Sequence, residues 1–226
     1  MITAVLFDID DTLIDWKKSA VICFETLFRE YNLPFDPIKT PTAFFEASAP
    51  LWAAVDRGEI TGSELRKVRW NHVFERLGID RRDGEFFEKE FRRHLAKSAV
   101  PIEGAGEVLE YLFGKYTLGV ASNAYFEQQN SRLELLGYKK YLKHIFTSQE
   151  IGYEKPNEKF FEHCLKELGN PAPQDVLMVG DNPLADIEGA NKAGFKTCWF
   201  NREAKPCDGI NADYCISSLK ELIDIL

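Results

Sequence analysis

The sequence predicts an α/β protein: a doubly wound, mostly parallel sheet with an all-helical segment inserted after its first strand. Three observations carry that expectation. The apolar run Ala4-Val5-Leu6-Phe7 is short, bounded and rich in strand formers, and two aspartates, Asp8 and Asp10, stand where it ends. Residues 15–98 read as helices, with no strand pattern among them. From residue 99 onward helices and strands alternate, which implies parallel pairing, because parallel strands need a crossover and a helix usually supplies it. A Rossmann-like core is therefore expected from 1–14 and 99–226, interrupted by a helical cap over 15–98.

Within the helical segment, Ala20, Phe24, Leu27, Phe28 and Tyr31 fall on one apolar stripe, and Pro34 and Pro37 end it. Thr40-Pro41 reads as an N-cap followed by proline at the first helical position. Thr61-Gly62-Ser63-Glu64 matches a capping box. The helix it opens is lined by Trp70, Val73, Phe74 and Leu77 and closed by Gly78. A further helix covers about 85–97. In the second half, Ala105, Val108, Leu109 and Leu112 line a helix and 117–121 reads as a strand. A helix over 126–136 ends at Gly137, and 144–147 is a short strand. Asn157 caps a helix with Phe160, Phe161, Cys164, Leu165 and Leu168 on one face. A buried strand follows at 176–179, and Asn182-Pro183 opens a helix ending near Gly194. Strands at 197–200 and 213–216 come last, before a terminal helix opened by Ser218-x-x-Glu221 with Leu219, Leu222, Ile223 and Leu226 on one side.

Composition narrows the function class. With 45% hydrophobic and 28% charged residues the chain has the balance of a globular protein. A net charge of −8 argues against a nucleic-acid polymer as partner, since phosphates demand a basic surface. The charge is uneven: residues 15–98 hold 15 Lys and Arg against 14 Asp and Glu, a net of +1, which leaves −9 on the rest. No apolar run approaches the roughly 20 residues needed to cross a bilayer, and no basic, apolar leader is recognisable at the N-terminus. Five cysteines, Cys23, Cys164, Cys198, Cys207 and Cys215, are odd in number and widely spaced, so neither a disulfide framework nor a zinc site is expected. A cytoplasmic protein fits this usage. The oligomeric state is left open.

The chemistry-bearing residues gather at predicted strand ends, where open α/β sheets bind ligands. Asp8 and Asp10, at i and i+2, return to the same side of an extended chain. Ser122-Asn123 follows the second strand, Lys155-Pro156 lies in the loop before Asn157, and Gly180-Asp181-x4-Asp186 follows the buried strand at 176–179. Taken singly, each is equally well an acidic strand end, a polar turn or a surface lysine. Together, a hydroxyl, a lysine and four carboxylates at one sheet edge suit a phosphoryl group and a hard cation.

Asp8-x-Asp10-x-Thr12, Ser122, Lys155 and Gly180-Asp181-x4-Asp186 match, in order, the four motifs of the haloacid dehalogenase superfamily, and the insertion resembles that superfamily's helical cap between the first two. More narrowly, Pro50-Leu51-Trp52, Gly58-Glu59-Ile60-Thr61, Ala185-Asp186-Ile187 and Thr197-Cys198-Trp199 resemble its pyrimidine 5′-nucleotidases that clear non-canonical nucleotides. The resemblance implies a phosphomonoester hydrolase with Asp8 as nucleophile and Asp10 as the group that protonates the leaving alkoxide and then deprotonates water. It implies Mg²⁺ held by Asp8, Asp181 and the backbone carbonyl of Asp10, with Asp186 behind them orienting water or Lys155. Ser122 and Lys155 would hold the phosphoryl group, with Thr12 and Asn123 beside them holding the loops. Dehalogenases of the superfamily keep no aspartate at the Asp10 position, so phosphate esters are favoured. Two departures are Ala124, where glycine is frequent, and Asn182, where a hydroxyl is commoner. The cap is expected to choose the substrate: Trp16, Phe44 or Trp52 would stack on a base and Arg66 or Arg69 meet its edges, with Trp70 in the cap core. The expected partner is a small phosphorylated metabolite, foremost a nucleoside monophosphate. A phosphosugar phosphatase or mutase, or a catalytically silent binding protein, are the alternatives.

Overall fold

β1 (Ala4–Phe7) lies in the middle of a six-stranded sheet whose neighbours are all parallel. The other strands are β2 (Thr117–Ser122), β3 (His144–Thr147), β4 (Val176–Gly180), β5 (Lys196–Phe200) and β6 (Tyr214–Ile216), in the order β3-β2-β1-β4-β5-β6. The structure, a computed structural model, describes residues 1–80, 83–207 and 209–226. β1 and β4 are buried along their whole length, which is why both are continuous apolar runs rather than alternating ones. Their residues nonetheless divide by the two-residue period of a strand. Val5, Phe7, Leu177 and Val179 join one core cluster, and Ala4, Leu6, Val176 and Met178 join another. Phe7 is level with Val120 and with Val179, so Asp8 emerges from β1 at the height of Ala121 in β2 and Gly180 in β4. Strand order reverses across β1 and β4, the switch point where such sheets bind ligands.

The chain divides into two compact units, Met1–Trp16 with Ala99–Leu226, and Lys17–Ser98. The second is built from α1 (Trp16–Glu30), α2 (Lys39–Asp56), α3 (Gly62–Leu77) and α4 (Gly84–Leu95). The Thr61–Glu64 capping box is present, and Gly78 closes α3 in the left-handed conformation it alone adopts without strain. The start of α2 departs from expectation. Its N-cap is Ile38, not Thr40, because the Asp36 carboxylate accepts from the Ile38 and Lys39 N–H groups at 2.9 and 2.7 Å. Thr40 instead returns a bond, its hydroxyl accepting from the Asp36 N–H.

The core of this unit is aromatic: Phe24, Phe28, Phe44, Trp70, Phe74 and Phe91 are all buried. Two expectations fail here. Phe44 is fully buried between Phe24 and Trp70 and cannot stack on a base. Arg69 is buried too, its Nη2 bonded to both Glu88 oxygens at 2.6 and 2.7 Å, with its guanidinium 4.6 Å from the Phe44 ring centre. A buried guanidinium needs a paired carboxylate, so Arg69 serves the packing. Trp52 is half-buried, with the Arg66 guanidinium 5.8 Å from its ring centre.

The core unit carries α5 (Ala105–Leu112), α6 (Phe126–Leu135), α7 (Ser148–Ile151), α8 (Glu158–Glu167), α9 (Gly189–Lys192) and α10 (Leu222–Ile225). The single helix expected after Asn182 begins as a π-helical turn, Pro183–Glu188, before α9. Among the described residues no helix is long and apolar enough to cross a membrane.

Candidate active site

The loop after β1 is wound around one carbonyl. Ile9 O accepts from the N–H groups of Thr12, Leu13 and Ile14 at 3.4, 3.0 and 2.9 Å, and the Asp11 N–H closes on Ile14 O at 2.7 Å. Ile9, Leu13 and Ile14 are fully buried, so apolar residues anchor the loop and the acids between them stay at the sheet edge. Asp11 adopts a left-handed φ of 64°, which a short polar side chain that bonds locally tolerates; its carboxylate accepts from the Trp16 N–H. Arg202, just beyond β5, grips Asp15 at 3.0 Å and Asp11 at 3.5 Å.

Lys155 ties the strand ends together. Its Nζ donates to Asp8 Oδ1 at 2.7 Å, to Asp186 Oδ1 at 2.6 Å and to the Ala121 carbonyl at 2.6 Å, which uses every proton of the ammonium group. Asn123 fixes the Lys155 backbone: its Nδ2 donates to the Lys155 carbonyl at 2.8 Å and its Oδ1 accepts from the Lys155 N–H at 2.7 Å. Both polar atoms of that amide therefore hold the lysine. Asp186 Oδ2 accepts from the Asn182 N–H at 3.0 Å, while Asn182 Oδ1 caps the π-helical turn through Leu184 and Ala185. Gly180 permits this arrangement, since a Cβ there would lie 2.2 Å from Asp186 Oδ2. The Trp199 indole donates to the Asp181 carbonyl and so fixes the backbone that presents Asp181.

Asp8, Asp181 and Asp186 each contribute one carboxylate oxygen to a group within 4.8 Å of one another. Crowding has an electrostatic consequence. Burial is the largest influence on Asp8, and with repulsion from Asp186 and Asp10 it outweighs the attraction of Lys155, pushing the carboxyl up to about 8. Burial, then the charges of Asp8, Asp186 and Asp11, raise Asp181 well above the usual carboxylate range. Burial works against the Lys155 charge, but Asp186 and Asp8 more than offset it and raise its pKa. Three confined acids against one ammonium leave negative charge to balance, and every donor is a hard oxygen. That donor set fits Mg²⁺ rather than zinc.

Asp10 has its own partners. Its Oδ1 accepts from Arg132 Nη1 at 2.5 Å and its Oδ2 from Gln129 Nε2 at 2.7 Å. Gln129 Nε2 also donates to Ser122 Oγ at 3.0 Å, and Gln129 Oε1 accepts from Arg132 Nη1 at 3.0 Å. Ser122, Gln129 and Arg132 are all buried. The Thr12 hydroxyl is buried without a hydrogen-bond partner among the described residues, so its side chain does not tie the loop down. Sequence reasoning missed Gln129 and Arg132. The signal was there: Gln129, Arg132, Leu133 and Leu136 share one helical face, a polar pair set into an apolar stripe.

The family model described as haloacid dehalogenase-like hydrolase matches residues 5–200. The chain is 33% identical over 226 residues to the pyrimidine 5′-nucleotidase YjjG of Escherichia coli K12, covering 98% of this chain and 96% of that one. It is 30% identical over 223 residues to the HAD-hydrolase YfnB of Bacillus subtilis, covering 98% and 94%. A crystal structure of YfnB bound to magnesium aligns with a TM-score of 0.94 at 29% identity, covering 100% of this chain and 98% of that one. A family match over residues 5–200, with a relative 33% identical across nearly the whole chain, means that the chain belongs to the haloacid dehalogenase-like hydrolase family.

Proposed function

We propose that the protein is a phosphomonoester hydrolase acting through an aspartyl-phosphate on Asp8, with pyrimidine nucleoside 5′-monophosphates as its substrates. One observation carries the reaction type: Asp8 is confined at a strand end with two further acids and a fully engaged lysine, while a fourth acid, Asp10, is held two residues away by a separate set of donors. Asp8 and Asp181, with the Asp10 backbone carbonyl, would hold Mg²⁺, and Asp186 would stand behind them through Lys155. The ion, when bound, offsets the mutual repulsion of the carboxylates and an anionic substrate.

In this reading an Asp8 oxygen attacks phosphorus, the ester P–O bond breaks, and Asp10 gives its proton to the departing alkoxide. Asp10 then takes a proton from water, which attacks phosphorus, releases inorganic phosphate and frees Asp8. Lys155 fixes the reacting oxygen of Asp8 through their hydrogen bond, and Ser122 offers a hydroxyl to a phosphoryl oxygen. An acid two residues after the nucleophile is superfluous for carbon–halogen cleavage, which favours phosphate esters. The nucleotide assignment rests on the likeness to YjjG and to the pyrimidine 5′-nucleotidase PynA of Streptococcus pneumoniae, 27% identical over 230 residues. The five cysteines, odd in number and widely spaced, suit a reducing cytoplasmic setting.

The test is phosphate release from p-nitrophenyl phosphate with added Mg²⁺, with Asp8→Asn as control, followed by a panel of nucleoside monophosphates and sugar phosphates. Equal inertness of wild type and Asp8→Asn refutes the enzyme. Preference for sugar phosphates refutes the nucleotidase but leaves the hydrolase. Asp10→Asn is expected to trap a slowly hydrolysed aspartyl-phosphate, and rapid turnover by that variant removes Asp10 from its role.

A further inference from the structure

Arg132 is a fully buried cation on α6 whose Nη1 meets a carboxylate 122 residues earlier in the chain. Removing a guanidinium from water is costly unless a paired anion and good hydrogen bonds offset it. The anion here is Asp10, which stands apart from the Lys155-centred group. Gln129, one turn earlier on the same helix, grips the other Asp10 oxygen and reaches Ser122 with the same amide nitrogen. Each Asp10 oxygen thus has one fixed donor, and the two donors are bonded to each other.

We propose that Arg132, braced by Gln129, is the positioning residue for Asp10, fixing the direction in which its carboxyl meets the leaving-group oxygen. The Gln129 bridge makes that direction depend on Ser122, so the phosphoryl-contacting hydroxyl and the proton-transfer group are set as one unit. This rests on the hydrolase reading above. Asp8, Lys155 and Asp186 form their own bonds without Arg132. Loss of the guanidinium therefore damages protonation of the leaving group rather than attack on phosphorus.

Leaving-group dependence reads that distinction. p-Nitrophenolate departs with little help, whereas phenolate and alkoxides need the proton. kcat/KM is measured for a series of ring-substituted phenyl phosphates with wild type, Arg132→Met, Arg132→Lys and Gln129→Met. Arg132→Met is expected to lose on the order of 10-fold or more beyond its p-nitrophenyl phosphate loss when phenyl phosphate is the substrate, a steeper dependence on leaving-group basicity. Arg132→Lys recovers part of the difference, and Gln129→Met shows the same trend more weakly. Parallel losses across the series overturn the proposal, because a purely structural defect lowers all substrates alike. Should Arg132→Met not fold, Gln129→Met decides by the same comparison. Wild-type protein that hydrolyses none of the series refutes the hydrolase reading instead.

Discussion

Gly180→Ala tests how the acid–lysine group is assembled. The new Cβ would sit 2.2 Å from Asp186 Oδ2, 2.4 Å from its Cγ and 2.6 Å from its Cβ. To regain van der Waals contact the Asp186 carboxyl has to withdraw by roughly 1 Å. The 2.6 Å bond from Lys155 then stretches past hydrogen-bonding range, and so does the 3.0 Å bond from the Asn182 N–H. Losing a charge-assisted hydrogen bond costs about 2–3 kcal/mol and overpacking about 1–3 kcal/mol. For a chain of this size the combined loss lowers Tm by on the order of 10 °C. Thermal unfolding in EDTA measures this without any reference to catalysis. Adding Asp186→Gly removes the overlapping atoms, so Gly180→Ala in that background is expected to cost under ~1 kcal/mol, a coupling that a double-mutant cycle isolates. A Tm within ~2 °C of wild type for Gly180→Ala alone, or equal costs in both backgrounds, refutes the reasoning.

Further outcomes follow from the same geometry. Glu88→Ala leaves the Arg69 guanidinium buried without its 2.6 Å partner and is expected to cost about 3–5 kcal/mol in urea unfolding, most of it recovered when Arg69→Met accompanies Glu88→Leu. Asp8 is raised from 3.8 to about 8 by burial and its acid neighbours, so the folded protein binds more protons than the unfolded chain across that window. Stability in EDTA should therefore fall as pH rises from about 4 toward 8, and saturating Mg²⁺ should flatten the slope and raise Tm; a rising or flat profile in EDTA contradicts the crowding. Gly189→Ala would place a Cβ 2.7 Å from Phe161 and 2.9 Å from the Pro156 backbone, so it should shift the Lys155 loop and lower kcat with a stability loss of about 1–3 kcal/mol. Unchanged kcat and Tm in that variant would show that the loop yields freely.

The sheet is legible in the sequence because β1 and β4 are buried on both faces and so read as short unbroken apolar runs. The capping boxes at Thr61 and Ser218 are legible for a similar reason, since both partners lie within one turn. The start of α2 was misread where two local caps competed: Thr40 before Pro41 is the stronger pattern, yet Asp36 accepts two backbone N–H groups and sets the helix start earlier. Phe44 and Arg69 were misread because charge and aromaticity suggest a surface that binds, while tertiary packing brought Glu88 to Arg69 and closed the core over both.

The same physics explains why the first-motif acids were legible and their partners were not. Asp8 and Asp10 announce themselves by spacing along one strand end, a local property. What distinguishes them in the folded chain is long-range: Asp8 meets a lysine 147 residues away and Asp10 an arginine 122 residues away. No periodicity encodes such a meeting. A buried cation does leave a trace, because it occupies a helical position that the apolar stripe requires to be inside. Arg132 lies beside Leu133 on the buried side of α6 with Gln129 one turn before it, and such a pair remains inside only if an acid neutralises it there. An arginine on the inward face of a helix following the second strand therefore points to an acid at the neighbouring end of the first, and β1 pairs with β2 at that height.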